Sequence, residues 1–266
     1  MAQQQSGVDV HEIAFEAFGV RVLVSADGPD ELDRIRALLP PGSQPCARST
    51  VDKQFGVTAD TGGAYAVIRG EETYTKNLEF DLALELLEAQ VRAYVALHSP
   101  DKIFVHAGAV ATRGKAILMP GMSFAGKTTL TAALVRAGAI YYSDEFAPLD
   151  EHGLVHPYAR PLALRDSSGN SSPHPVDTLG GVAGEDPLPV GAVLVTRYRS
   201  NAEWKPRRRS TGEGVLAMLA NTVPAQTRPK QAMRVLTRAV AGAAVIESDR
   251  AEAADIVGSL LALLEA

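Results

Sequence analysis

A single cysteine, Cys46, stands among 266 residues, so no disulfide can close within the chain. That scarcity fits a reducing compartment and sets the expectation of a cytoplasmic protein. No run reaches the roughly 18 apolar residues that a transmembrane helix needs, so no membrane partner is expected. The opening stretch MAQQQSGVDVHE has no basic segment followed by an apolar core, and so does not read as a secretory signal. Positive charge is not in surplus either. A net charge of −5 gives no global reason to expect nucleic acid as a partner. There is no Cys/His pattern with zinc spacing, no G-x-S-x-G elbow, no His-Glu-x-x-His helix and no internal repeat.

What is present is an ordinary share of apolar residues, 46%, beside 21% charged ones. A chain of this length and composition can bury a substantial core as one large domain or two modest ones. The first hundred residues read as mixed α+β. EIAFEAFGVRVLVSAD gives one or two strands around Gly19, and PDELDRIRALLP a short helix stopped by Pro40. DKQFGVTAD and AYAVIRG give two strands, and Asp81 to His98 a longer helix ended by Ser99-Pro100. The first ten residues read as a frayed tail, and no catalytic motif occurs before residue 100. From Lys102 the texture changes, which places a domain boundary near residue 100: an N-terminal domain, 1–100, and a second domain, 101–266. In the second, IFVHAGAVATRGKAILMP reads as two strands. AIYYSDEFAPLDEHGLVHPYARPLALR reads as several short ones, with a plain turn at Asp150-Glu151-His152. VGAVLVTRYR and AAVIE read as strands, and TGEGVLAMLAN, PKQAMRVLTRAV and RAEAADIVGSLLALLEA as helices. Residues 166 to 189, rich in Ser, Gly and Pro, read as a mobile surface loop.

The segment ILMPGMSFAGKTTLTAAL holds the main chemical signal. Gly121 to Thr128 fit G-x-x-x-x-G-K-[ST], between a strand-like run and a helix-like run. Gly121 and Gly126 let the backbone turn tightly and come close to a ligand. The amides of Gly121, Met122, Ser123, Phe124, Ala125 and Gly126, continuing into Lys127, Thr128 and Thr129, can then converge on an anion at a helix N-terminus. In such a turn the lysine, Lys127, reaches the β- and γ-phosphates and the hydroxyl of Thr128 sits on Mg²⁺, so the expected cofactors are ATP and Mg²⁺.

Asp144 and Glu145 follow at the end of AIYY, where a strand end should lie beside that turn. One acid can hold the metal while the other accepts a hydrogen bond from the attacking group. His106, in the strand FVHAGAV, is either a structural histidine or a proton carrier. Arg160 and Arg165 can offset charge on a transferring phosphoryl group, or simply pair with surface acids. The run RYRSNAEWKPRRR carries six cations, Arg197, Arg199, Lys205, Arg207, Arg208 and Arg209, against Glu203. It is a solvated basic face, a dock for an acidic peptide, or a place for a nucleotide base against Trp204.

The succession FVHAGAV, PGMSFAGKTTL and RAGAIYYSDEFAPLD resembles the bacterial HPr kinase/phosphorylase superfamily. It is closer still to the shorter HprK-like relatives, some of which sit beside peptide-modification genes such as those for lasso peptides. The likeness is specific over about residues 102 to 165, weaker from 190 to 266 and absent before 100. It implies an α/β fold: a P-loop-containing core of the HPr-kinase/PEP-carboxykinase type behind a small N-terminal α+β domain. It further implies His106 as the catalytic histidine, Gly121 to Thr128 as the phosphate loop, Asp144 on the acceptor serine and Glu145 on the metal side. HPr kinases proper have aspartate at the Glu145 position, glycine at the Phe124 position, and a Glu-Ile-Arg-Gly segment that this chain lacks. The expected activity is therefore the kinase half: transfer of the γ-phosphoryl group of ATP to a hydroxyl, a serine of a protein or peptide substrate. A small-molecule kinase on the same core, and a nucleotide-gated binding module without transfer, are the alternatives. A homo-oligomer is compatible with all three.

Overall fold

The computed structural model describes residues 10–121, 126–165 and 171–265. The N-terminal tail expected to fray and the loop positions Met122, Ser123, Phe124 and Ala125 therefore lie outside the described residues, as do residues 166–170. The protein is mixed α/β and forms two compact units, Met1–Pro100 and Asp101–Ala266.

The first unit begins with a hairpin of β1 (His11–Ala17) and β2 (Val20–Ala26). Its two-residue turn, Phe18-Gly19, takes φ of 50° and 76°, the left-handed pair whose twist matches that of the flanking strands. Helix α1 (Pro29–Arg36) opens on proline with Asp30 and Glu31 in its first turn, which suits the positive end of a helix. Strands β3 (Gln44–Pro45), β4 (Lys53–Ala59), β5 (Tyr65–Arg69) and β6 (Glu72–Leu78) complete a sheet of order β3-β1-β2-β4-β5-β6. Helix α2 (Phe80–His98) lays Leu84, Leu87, Val91 and Val95 over Val22, Val24, Phe55 and Val67. Strand β6 is almost wholly exposed, so it carries no apolar alternation by which a sequence could announce it.

The second unit contains β7 (Ile103–Thr112), β8 (Lys115–Pro120), α3 (Lys127–Arg136), β9 (Ile140–Ser143), β10 (Phe146–Leu149), β11 (Leu162–Arg165), β12 (Ser171–His174), β13 (Val190–Tyr198), β14 (Arg207–Arg209), α4 (Thr211–Leu219), α5 (Pro229–Val240), β15 (Ala244–Arg250) and α6 (Ala253–Glu265). Its main sheet has the order β10-β7-β8-β13-β15-β14, with β9 also paired to β7. Strands β8, β13 and β15 run parallel, so their C-terminal ends share one edge of the sheet. Side chains alternate between two cores, as strand geometry requires. Leu118, Val193 and Val245 meet α4 and α5 through Val215, Met218, Val235 and Leu236. Ile117, Met119, Leu194 and Ile246 meet α3 and α6 through Leu130, Leu134, Ile256 and Leu260. The stretch expected to be one loop over 166–189 is not structureless, since β12 pairs in register with β11. Main-chain bonding carries that ladder, and its Ser and Pro side chains leave no periodic trace. None of the helices among the described residues is long and apolar enough to cross a membrane.

Candidate functional site

Four neighbouring strands bring the glycine-rich turn and the acid pair together. Strand β8 ends at Pro120, opposite Ala107 of β7, with Met119 opposite Gly108. On the other edge of β7, Ser143 of β9 lies opposite Ala109 and Phe146 of β10 opposite His106. Asp144 and Glu145 thus occupy the break between β9 and β10, level with the end of β8. A break of this kind re-aims side chains out of the ladder. The Ser143 hydroxyl fixes it by accepting from the amides of Glu145 (3.1 Å) and Phe146 (3.0 Å), while Ala107 N–H donates to the Glu145 carbonyl (3.1 Å). The sequence reading expected the acids directly beside the turn. Their strands are not paired with β8, since β7 runs between, yet the Thr128 side chain hydrogen-bonds Asp144.

Gly108 closes that distance. A Cβ there would come within 2.7 Å of Thr131 Oγ1 and 3.2 Å of the Met119 methyl. The missing side chain therefore lets α3 settle directly on β7. Gly108→Ala is expected to push α3 outward and destabilise the unit by about 1–3 kcal/mol, the usual range for overpacking. Urea unfolding checks this, and an unchanged midpoint would show that α3 yields without cost.

The turn is held at both ends. Gly121 N–H donates to the His106 carbonyl (3.2 Å), and Lys127 Nζ reaches back to the Gly121 carbonyl (2.8 Å). Gly126 caps α3 in the left-handed conformation, φ 79°. The first-turn amides of a helix have no acceptor within it, and Lys127, Thr128 and Thr129 make up that turn of α3. Thr128 is half-buried and Thr129 exposed.

The charges respond to this setting. Burial raises the Asp144 carboxyl to about 7, opposed by the Thr128 side chain and by Lys127, with Glu145 adding to the rise. Its Oδ1 is shut away from solvent with no hydrogen-bond partner among the described residues. Burial lowers the pKa of Lys127, and Asp144 and then Glu145 pull it back up. His106 is lowered to about 4, first by burial and then by Lys127, so its ring is neutral near pH 7. Phe146 stands 6.0 Å from it, part of an aromatic wall with Phe104 and Tyr158. Glu145 accepts from Arg160 at 3.0 Å. Arg165 closes β11, exposed, opposite Ser171.

The sequence reading missed Arg250. It ends β15, is 1% exposed, and forks between the carbonyls of Gly126 (Nη2, 2.6 Å) and Ala251 (Nη1, 3.0 Å). Its guanidinium lies 5.9 Å from the Tyr198 ring, and Tyr198 in turn donates to Glu252 (3.0 Å). No carboxylate pairs with Arg250 among the described residues. Burial lowers its pKa, and Glu252 and Tyr198 offset part of that. The available signal was parity: Ile246 faces α3, so Ser248 and Arg250 continue the same inward row.

Trp204 is half-buried and packs against the α3–α6 core, which anchors its loop and leaves little face for a base. The residues fit a magnesium–nucleotide on one observation above all. One buried oxygen of Asp144 has no hydrogen-bond partner among the described residues, while the carboxylate is hydrogen-bonded by the Thr128 side chain and feels the Lys127 ammonium. The chain matches no protein-family model, and no curated protein matches it.

Proposed function

We propose that this protein is an ATP- and Mg²⁺-dependent phosphotransferase of the HPr-kinase type, acting on a hydroxyl, a serine of a protein or peptide. The observation that carries this reading is the meeting of Lys127, Thr128 and the buried Asp144 carboxylate, whose Oδ1 has no hydrogen-bond partner among the described residues. The resemblance of FVHAGAV, PGMSFAGKTTL and RAGAIYYSDEFAPLD to that superfamily supports it from the sequence. Magnesium–ATP supplies the transferable γ-phosphoryl group, with the cation offsetting charge on its oxygens.

The remaining work falls to side chains. Lys127 and the α3 amides hold the phosphates. Thr128 and Asp144 hold the cation, because Asp144 is the acid that the Thr128 side chain acts upon. Glu145, braced by Arg160, faces the acceptor. This exchanges the roles that resemblance gives the two acids. His106, neutral at pH 7, can accept the hydroxyl proton and cannot donate one. Arg160 keeps a positive charge near the transferring group.

Single-turnover transfer from γ-labelled ATP to serine-bearing peptides tests the reading. The native chain should transfer only with Mg²⁺, and Lys127→Met should lose about 10²-fold or more. Tight magnesium–ATP binding without transfer to any acceptor would replace the kinase by a nucleotide-gated binding module.

A further inference from the structure

The basic run does not belong to the pocket just described. It lines a separate cleft of about 450 Å³ on the opposite face of the same sheet. Strand parity puts it there. Val193 and Val195 face α4 and α5, so Arg197 follows them, whereas Leu194 leads to Tyr198 on the α3 side. On β15, Val245 leads to Glu247 and Asp249, while Ile246 leads to Arg250 beneath Gly126. Arg207 lies opposite Glu247 and Arg209 opposite Val245, which sets both arginines on the α4–α5 face. Most of this lining therefore lies on the face away from the glycine-rich turn, with Ser248 the exception.

The lining holds five cations, Arg197, Arg199, Lys205, Arg207 and Arg209, against three carboxylates. Each carboxylate is already engaged: Asp249 by Arg199, Glu203 by Lys205 and Glu247 by Arg209. Arg197 and Arg207 have no carboxylate partner among the described residues, so the cleft keeps two uncompensated positive charges in a chain of net charge −5. Strand β14 ends the sheet order, and no strand covers its outer edge among the described residues.

We infer that this cleft is a docking groove for an extended, acidic peptide segment. Such a segment adds to the free edge of β14 by main-chain bonds. Its alternate side chains then fall on one face, about 6.5–7 Å apart, in step with Arg207 and Arg209. Acids at every second position meet the groove, and acids at consecutive positions waste half their charge on the other face. A nucleic-acid backbone is a poorer match, because it would meet three carboxylates in a lining with an excess of only two charges. The groove stands apart from the proposed transfer chemistry and needs no nucleotide to be tested.

Fluorescence anisotropy on the full chain, without nucleotide, decides the matter. The probe is a short fluorescein-labelled peptide alternating Glu and Thr, compared with a block isomer of the same composition. The alternating probe should bind more tightly than the block isomer and weaken as salt rises. Arg197→Glu with Arg207→Glu should weaken it about tenfold or more. Arg34→Glu with Arg36→Glu, in the N-terminal unit, should leave it unchanged. If the double reversal unfolds the chain, Arg197→Gln with Arg207→Gln should give a smaller loss in the same direction. Equal binding of the two isomers, binding indifferent to both double variants, or displacement of the probe by ATP or by single-stranded DNA would each overturn the assignment.

Discussion

Asp144→Asn should sharply reduce magnesium-dependent transfer and at the same time stabilise the ligand-free protein above pH 7. Both effects come from the same buried carboxylate. In the folded chain Asp144 keeps its proton up to about pH 7, mainly because burial penalises the charged form. In the unfolded chain it loses that proton near pH 4. Between those values the folded state binds more protons, so its stability falls as pH rises and levels off above about 7. His106 acts in the other direction. Held near 4 when folded, against about 6.5 when unfolded, it costs stability as pH falls through that window. The two slopes oppose each other from pH 4 to 6.5, and Asp144 emerges alone only near 7. Asparagine has the same shape and no titration. The variant should match the native chain at pH 4 and exceed it by about 1–2 kcal/mol at pH 8, once the lost attraction to Lys127 is set against the relief. For a chain of this size that is a melting-temperature rise of about 2–8 °C. Transfer should fall about 10²–10³-fold, since the cation loses its charged ligand. Unaltered magnesium-dependent transfer in the variant would remove Asp144 from the site.

Much of this arrangement was legible before any coordinates. The apolar run Ile117–Met119 and the segment from Lys127 onward specify a strand and a helix by local chemistry alone, and local chemistry is what a sequence records directly. The same holds for α2 and α5, whose apolar stripes recur at helical spacing over many residues. The pieces that escaped are short, polar and set by distant partners. Strands β6, β12 and β14 owe their existence to a neighbour's free edge, and their own side chains are mostly exposed. The route by which Asp144 and Glu145 reach the turn depends on β7 entering the sheet between β8 and β9. That is a topological fact with no local signature. Arg250 was obscured by distance along the chain. It lies 124 residues after the glycine whose carbonyl it holds, at the end of a strand that reads as ordinary.

Arg250→Lys should weaken nucleotide binding by about tenfold to a hundredfold, and by the same factor with or without Mg²⁺. The guanidinium fork bonds two carbonyls at once, those of Gly126 and Ala251. An ammonium keeps the charge but cannot span both in the same geometry. The Gly126 carbonyl also accepts the Leu130 amide at 3.2 Å, closing the first turn of α3. Arg250 thus fixes the orientation of the peptide that launches the helix, and with it the direction of the amides proposed to hold phosphate. A cation this deeply buried, with carbonyl and ring partners but no carboxylate among the described residues, also lowers the cost of bringing an anion nearby. Asp144→Asn removes a proposed ligand of the cation, so its binding loss should appear only when Mg²⁺ is present. Arg250→Lys alters the turn itself, so its loss should be independent of the metal. Calorimetric titration of ATP into both variants, with Mg²⁺ and with EDTA, separates the two effects. Full affinity in Arg250→Lys would show that the turn holds its shape unaided, and that the buried guanidinium serves only to tie β15 to α3.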